Sequence, residues 1–168
     1  NKIKNGVIPE EWEKPENKSK LAQKDIDADW TKKNGERHFG YKDHVKCDAD
    51  SKLITNYSVT SASVHDSQRC LVFIGQEDEV LYADSAYSGK PIALALPENC
   101  KNQICEKGYR NSPLTSEQKM NNRRKSRIRC RIEQIFGFMT GAMHGITIRS
   151  IGITRAWMNI GITNLVYN

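Results

Sequence analysis

Two acidic side chains stand out as able to do chemistry. Asp84 closes the apolar run Val80-Leu81-Tyr82-Ala83, and Glu133 is the only acid between Gln118 and the C-terminus. A pair of carboxylates can hold a divalent cation such as Mg²⁺, which prefers oxygen ligands and keeps several waters. A two-metal site wants at least one more carboxylate. Asp43, Asp66, Asp27 and Asp29 are the candidates, none as well placed as Asp84. Open α/β sheets bind ligands at the carboxyl ends of their strands, which is where Asp84 is expected. The same Asp could instead cap the turn that follows. Glu133 could pair with Arg129, one helical turn earlier, or with Arg131.

The second feature is charge. The chain has 168 residues and a net charge of +6, yet residues 119–131 (KMNNRRKSRIRCR) hold seven basic residues and no acid. That strip carries +7, so the remainder sums to −1. Concentrated Arg is the footprint of a polyanion partner, most often nucleic acid; a solvated helix face is the plainer alternative. Beside paired carboxylates, the strip suits phosphoryl chemistry on nucleic acid.

Other polar groups are less telling. His65-Asp66 could position a water or a phosphate, or simply cap a helix. His38, His44 and His144 have no partner at ligand spacing and are expected on the surface. Trp30-Thr31, before Lys32-Lys33, could touch a nucleic-acid backbone, but a core role for Trp30 is favoured. The five Cys are odd in number and form no C-x-x-C pair, which argues against a disulfide framework or a structural zinc and for free thiols in a reducing cytosol. No run approaches the ~20 apolar residues of a membrane span. The start, Asn1-Lys2-Ile3-Lys4, has neither a secretory apolar stretch nor an initiator Met, so a piece of a longer chain is expected.

The elements that must position these groups follow from pattern. Residues 1–36 are poor in apolar residues and broken by Pro9 and Pro15, and read as a loop-rich lead-in arm. Asn34-Gly35 signals a tight turn. Residues 37–47 alternate, with Phe39, Tyr41, Val45 and Cys47 on one face and Asp43 an exception among them. Asp48 to Ser51 is a turn, and Leu53 to Thr60 is a second strand. Ser63 or Asp66 is expected to cap a short helix. Val80 to Ala83 reads as a strand covered on both faces, Pro91 as the first turn of a helix, and Gln103 to Cys105 as a short strand. One long helix is expected from Ser116 to about Met143, starting without a capping-box acid. At ~100° per residue, Ile128, Ile132, Ile135, Phe136 and Met139 form its core stripe. Ser126, Cys130, Gly137 and Gly141 form a small-residue stripe beside Glu133. Ile151 to Tyr167 reads as a largely buried helix, with Gly152 and Gly161 as weak points. The sum is one mixed α/β domain over 37–168 with helices packed on its sheet.

Five blocks, in order, resemble a known family: Asp27-Ala28-Asp29-Trp30-Thr31-Lys32-Lys33, Phe39-Gly40-Tyr41-Lys42-Asp43-His44-Val45, Val59-Thr60 to His65-Asp66-Ser67, Tyr82-Ala83-Asp84-Ser85-Ala86-Tyr87-Ser88-Gly89, and Arg131-Ile132-Glu133-Gln134-Ile135-Phe136-Gly137-Phe138-Met139. The chain resembles the catalytic region of a DDE-type bacterial insertion-sequence transposase, of the insertion-sequence-five-like group. The resemblance implies an α/β, RNase H-like mixed sheet with packed helices, here lacking its first strand. It implies that Asp84 and Glu133 are the second and third acids of a metal triad binding Mg²⁺ or Mn²⁺. The first Asp would lie upstream of residue 1, so the chain as it stands is expected to be inactive.

The family's Glu block also has a Tyr, one residue, an Arg, three residues, the Glu, six residues and a Lys. Arg129 matches the Arg, whereas Arg127 stands at the Tyr position and Thr140 at the Lys position. The resemblance implies that Arg129 contacts phosphate or orients Glu133; Arg127, Arg124 and Lys125 of the basic strip are further candidate DNA contacts, with His65 and Asp66 as a weaker supporting pair. The implied partners are transposon ends and target DNA in the bacterial cytoplasm, with no membrane and room for a homo-oligomer. The implied reaction is strand cleavage by activated water, followed by strand transfer. Another RNase H-like nuclease and a non-catalytic nucleic-acid-binding module using the basic helix are the alternatives.

Overall fold

Residues 8–33, 35–145 and 147–168 are described by a computed structural model. The elements run α1 (Glu10–Glu13), α2 (Lys18–Ala22), β1 (Asp29–Lys33), β2 (Glu36–Cys47), β3 (Ile54–Ser61), α3 (Ser67–Phe73), β4 (Val80–Leu81), α4 (Lys90–Ala95), β5 (Lys101–Asn102), α5 (Ser116–Arg129), α6 (Arg131–Gly141) and α7 (Ile153–Tyr167). The class is mixed α/β. One antiparallel sheet has the order β1–β2–β3, and a second sheet pairs β4 with β5 in parallel.

The chain forms two compact units. The first comprises the described residues up to His44, Tyr57–Val64 and the chain from Gly145 onward; the second comprises Val45–Asn56 and His65–His144.

In the first unit the lead-in departs from the expected arm, because it supplies β1 as an edge strand paired to β2 from Asp29↔Gly40 to Lys33↔Glu36. The expected turn at Asn34-Gly35 falls partly outside the described residues; Gly35 itself has φ +88°, a conformation that suits glycine. Helix α7 buries Ala156, Ile160 and Asn164, spaced four apart, and leaves Met158, Ile162, Leu165 and Val166 exposed. It is therefore covered along one stripe only, not largely buried as expected. The Trp157 indole donates to the Val59 carbonyl (3.3 Å) and stacks on Tyr57 at 4.8 Å. Gly161 is a close-packing position rather than a weak point, since a Cβ there would meet the Tyr57 phenol. Gly152 (φ +95°) precedes α7 instead of interrupting it. His44, expected on the surface, is buried on β2 with its Nε2 2.8 Å from Thr60 Oγ1.

In the second unit Ile92, Ile104, Cys105, Ile135 and Met139 are buried. β4 is two residues long and half-buried, not a strand covered on both faces. Its pairing with β5 nevertheless extends past both labels, because Gln103 N–H donates to Leu81 O (2.9 Å) and Cys105 N–H to Ala83 O (3.0 Å). The single long helix expected after residue 116 is two. The backbone turns at Cys130 (φ −63°, ψ −5°), between α5 and α6, with neither Gly nor Pro to announce it. The last bond of α5, Cys130 N–H to Ser126 O (2.9 Å), and the first bond of α6, Gln134 N–H to Cys130 O (3.1 Å), both end at that residue. α5 does have a capping box: Thr115 Oγ1 accepts from Gln118 N–H, and the Gln118 side chain accepts from Thr115 N–H. All five cysteines are unbridged. Among the described residues no helix is long and apolar enough to cross a membrane.

Candidate functional site

Asp84 leaves the end of the β4 run and starts a single 3₁₀ turn over Ser85–Tyr87. Its carboxylate accepts from Ser85 N–H (2.5 Å) and its carbonyl from Tyr87 N–H (2.9 Å), so the turn holds the exposed side chain at the strand terminus. The turn also brings Tyr87 in behind it. Burial, then the charges of Asp66, Cys70 and Asp84, push the Tyr87 phenol up to about 12. Asp66 and Asp84 therefore share one electrostatic neighbourhood around Tyr87, and α3 packs on this turn. Asp66 does not cap α3 with its side chain. That role falls to His65, whose Nδ1 accepts from Ser67 N–H (3.3 Å) and lies 2.8 Å from Ser67 Oγ.

Glu133 sits in the first turn of α6, exposed, where a helix N-terminus favours negative charge. Arg129, one turn back on α5, donates to its Oε1 and forms an ion pair. The other proposed partner, Arg131, is turned toward Asp50 (3.6 Å).

α5 is tied to the chain that runs beside β4. Lys125 Nζ donates to Ile104 O (3.0 Å), Asn122 exchanges two hydrogen bonds with the Glu106 backbone (2.8 and 2.9 Å), and Cys105 Sγ lies 3.7 Å from Ser126 Oγ. A cavity of about 440 Å³ opens there, lined by Ser88, Asn102, Cys105, Glu106 and Lys125 among others.

The basic strip thus divides. Lys125 and Arg129 are bonded to the protein itself, and Arg131 lies within 3.6 Å of Asp50. Lys119, Arg123 and Arg127 stand four residues apart on the exposed face of α5, with Arg124 beside them, and none is ion-paired among the described residues. Of the four basic residues singled out from sequence, Arg124 and Arg127 face water, while Lys119 and Arg123 were overlooked. The i, i+4 spacing was the signal that could have found them. Thr140, at the position where a Lys was expected, bonds its hydroxyl back to Phe136 O (2.8 Å).

The other carboxylates offered as metal ligands have different duties. Asp27 Oδ2 accepts from Ile153 N–H (3.0 Å) and Asp25 Oδ2 from Gly152 N–H (3.2 Å), so the two cap α7 from the far end of the sequence. Asp25 also receives the Tyr41 hydroxyl at 2.7 Å; burial first, and then this bond, hold the Tyr41 phenol well above its ordinary range. Asp43 accepts from the Asn164 amide (3.4 Å) and is raised to about 6 by burial. Asp29 lies on β1 and bonds Trp30 N–H (2.7 Å). Among the described residues no three His, Cys, Asp or Glu side chains converge as a metal site. Asp84 and Glu133 are both exposed and in one unit. Each offers hard carboxylate oxygens of the kind that Mg²⁺ takes.

Known proteins give these positions a context. Residues 11–168 match the transposase DDE domain. The transposase for insertion sequence element IS1106 of Neisseria meningitidis serogroup B is 34% identical over 117 residues, which is 68% of this chain and 40% of that protein's length. No solved structure matches. With a family model covering nearly all of its length, the chain belongs to the transposase DDE domain family.

Proposed function

We propose that this chain is the part of an insertion-sequence transposase that presents the second and third acids of the metal triad to DNA, on an RNase H-like scaffold. The observation that carries this reading is the setting of the two carboxylates. Asp84 is held at a strand terminus by its own turn, and Glu133, in the first turn of α6, by Arg129 at the end of α5. Asp84 and Glu133 would each lend oxygens to Mg²⁺ or Mn²⁺, which when bound neutralises phosphate charge and lowers the pKa of a coordinated water.

The remaining work falls to the protein. Arg129 orients the Glu133 carboxylate and is a positioning residue. Lys119, Arg123, Arg124 and Arg127 offer a line of cations about 12 Å long, at 1.5 Å per residue, to a DNA backbone. Strand cleavage and transfer at element ends, with DNA as partner, complete the proposal. Homo-oligomerisation belongs to the same reading.

The test places Asp84→Asn and Glu133→Gln in a full-length transposase that contains this chain. Both variants should lose Mg²⁺-dependent cleavage of an element-end duplex and keep its binding. Arg124→Ala with Arg127→Ala should weaken binding and flatten the salt dependence by a slope of about 2, since each phosphate contact contributes about 0.9. The exposed Arg line would serve a non-catalytic DNA-binding module equally well. That second reading is adopted if the parent chain binds the duplex and never cuts it.

A further inference from the structure

The register of the β1–β2 hairpin puts Trp30 directly opposite Phe39, and Lys32 directly opposite Arg37. In a strand, residues two apart share a face, so these four side chains stand together on one side of the hairpin. The rings of Trp30 and Phe39 lie 5.2 Å apart with their planes inclined at 51°. Yet Trp30 is 50% exposed and Phe39 51% exposed. The core role favoured for Trp30 from sequence is therefore not what it performs.

Beside the rings, two cations face each other across the strands, an arrangement that costs stability unless an anion lies between them. No acid sits on that face of the paired segment: Asp29 and Glu36 belong to the opposite one. β1 is an edge strand, so nothing in the sheet follows it.

Two half-bare aromatic rings next to two like charges fit one class of partner well. Unpaired nucleic acid presents flat base faces to stack on rings and phosphates to sit between cations. A duplex hides its base faces inside the stack. We infer that this face of the β1–β2 hairpin binds single-stranded DNA, with Trp30 and Phe39 stacking on bases and Lys32 and Arg37 neutralising the adjoining phosphates. The inference rests on the reading that DNA is the protein's ligand, and adds a second surface, for an unpaired strand, to the α5 face proposed for duplex.

The experiment uses the 168-residue chain with a labelled oligothymidylate of about 12 nucleotides, within the usual span of a single-strand site. A duplex of equal length serves as the second probe. Oligothymidylate should quench tryptophan fluorescence. Trp30→Phe should retain most of the affinity and lose most of the quenching. Trp30→Ala should weaken single-strand binding by about tenfold and leave duplex binding unchanged. Lys32→Gln with Arg37→Gln, at exposed positions that hold no packing, should lower the single-strand salt slope by about 1.4, two contacts at about 0.7 each.

Unchanged single-strand affinity and salt slope in these variants, with duplex binding intact, overturns the inference and leaves the DNA reading standing. Absence of binding to either probe overturns both. Loss of self-association in Trp30→Ala with DNA affinity unchanged assigns the face to a second copy of the chain, and overturns the inference as well.

Discussion

Replacing Asp43 with Asn should stabilise the protein at neutral pH and not at acid pH. Asp43 lies on β2 with one oxygen accepting from the Asn164 amide at 3.4 Å. Its other oxygen, and the Asn164 carbonyl oxygen, are buried without a partner. Burial raises the carboxyl from 3.8 to about 6, against the opposing pull of the Asn164 bond. The native state therefore keeps its proton up to about pH 6, whereas the unfolded chain releases it near pH 4. Between those values the native state binds more protons, so the contribution of Asp43 to stability falls as pH rises from about 4 to about 6, then levels off. A shift of about two units, at about 1.4 kcal/mol each, sets the loss at about 3 kcal/mol for a fully sealed site. The substituted amide would carry no charge to desolvate and could donate to the orphaned Asn164 oxygen. Asp43→Asn should thus gain about 1–3 kcal/mol at about pH 7.5 and almost nothing at about pH 4.5. Urea titrations followed by tryptophan fluorescence at the two pH values measure this difference directly. Asp48, whose exposed carboxylate is held low by Ser51, responds in the opposite sense at lower pH and cancels between the two proteins. A variant that is less stable at about pH 7.5, or whose gain is the same at both pH values, refutes the reasoning.

Three further substitutions probe the scaffold. Thr115→Ala dismantles the capping box of α5 and should cost about 1 kcal/mol in denaturant unfolding. Asp25→Ala removes the acceptor for Gly152 N–H and for the Tyr41 hydroxyl, so the loss should reach about 2–3 kcal/mol, with a return of the Tyr41 phenol toward its ordinary pKa in ultraviolet titration. Gly161→Ala should lower the melting temperature, because the Tyr57 ring occupies the space of the new methyl, instead of bringing the gain of about 1 kcal/mol that Ala usually gives within a helix.

The elements legible in the sequence are those whose information is local. Alternation and turn residues marked β2, the Asp48 turn and β3, while Pro91 marked α4. β1 was missed because Asp29–Lys33 holds one apolar residue among polar ones, and becomes a strand by pairing with β2 rather than by burial. The turn at Cys130 has no breaker residue, and the cap of α5 uses Gln where an acid was sought. His44 falls on the polar face of an alternating strand and is nevertheless buried against Thr60. Asp84 and Glu133 stood out as candidates because an acid at a strand end and a lone acid in a basic helix are anomalies of type. The duties of Asp25, Asp27 and Asp43 were not legible, because their partners lie more than 120 residues away in the chain.

The reach of the α7 cap governs how the protein is made. The Asp25–Gly152 and Asp27–Ile153 bonds, with separations of 127 and 126 residues, close one of the longest loops the chain allows. Contacts of such high order slow folding, because the loop must be closed before its bonds reward it. On the ribosome, the hairpin emerges more than 100 residues before α7 and has to wait for it before its sheet is covered. A chain stalled or cut before residue 153 would therefore expose an uncovered sheet to its neighbours, and loss of α7 should send it to aggregation rather than leave a smaller working piece.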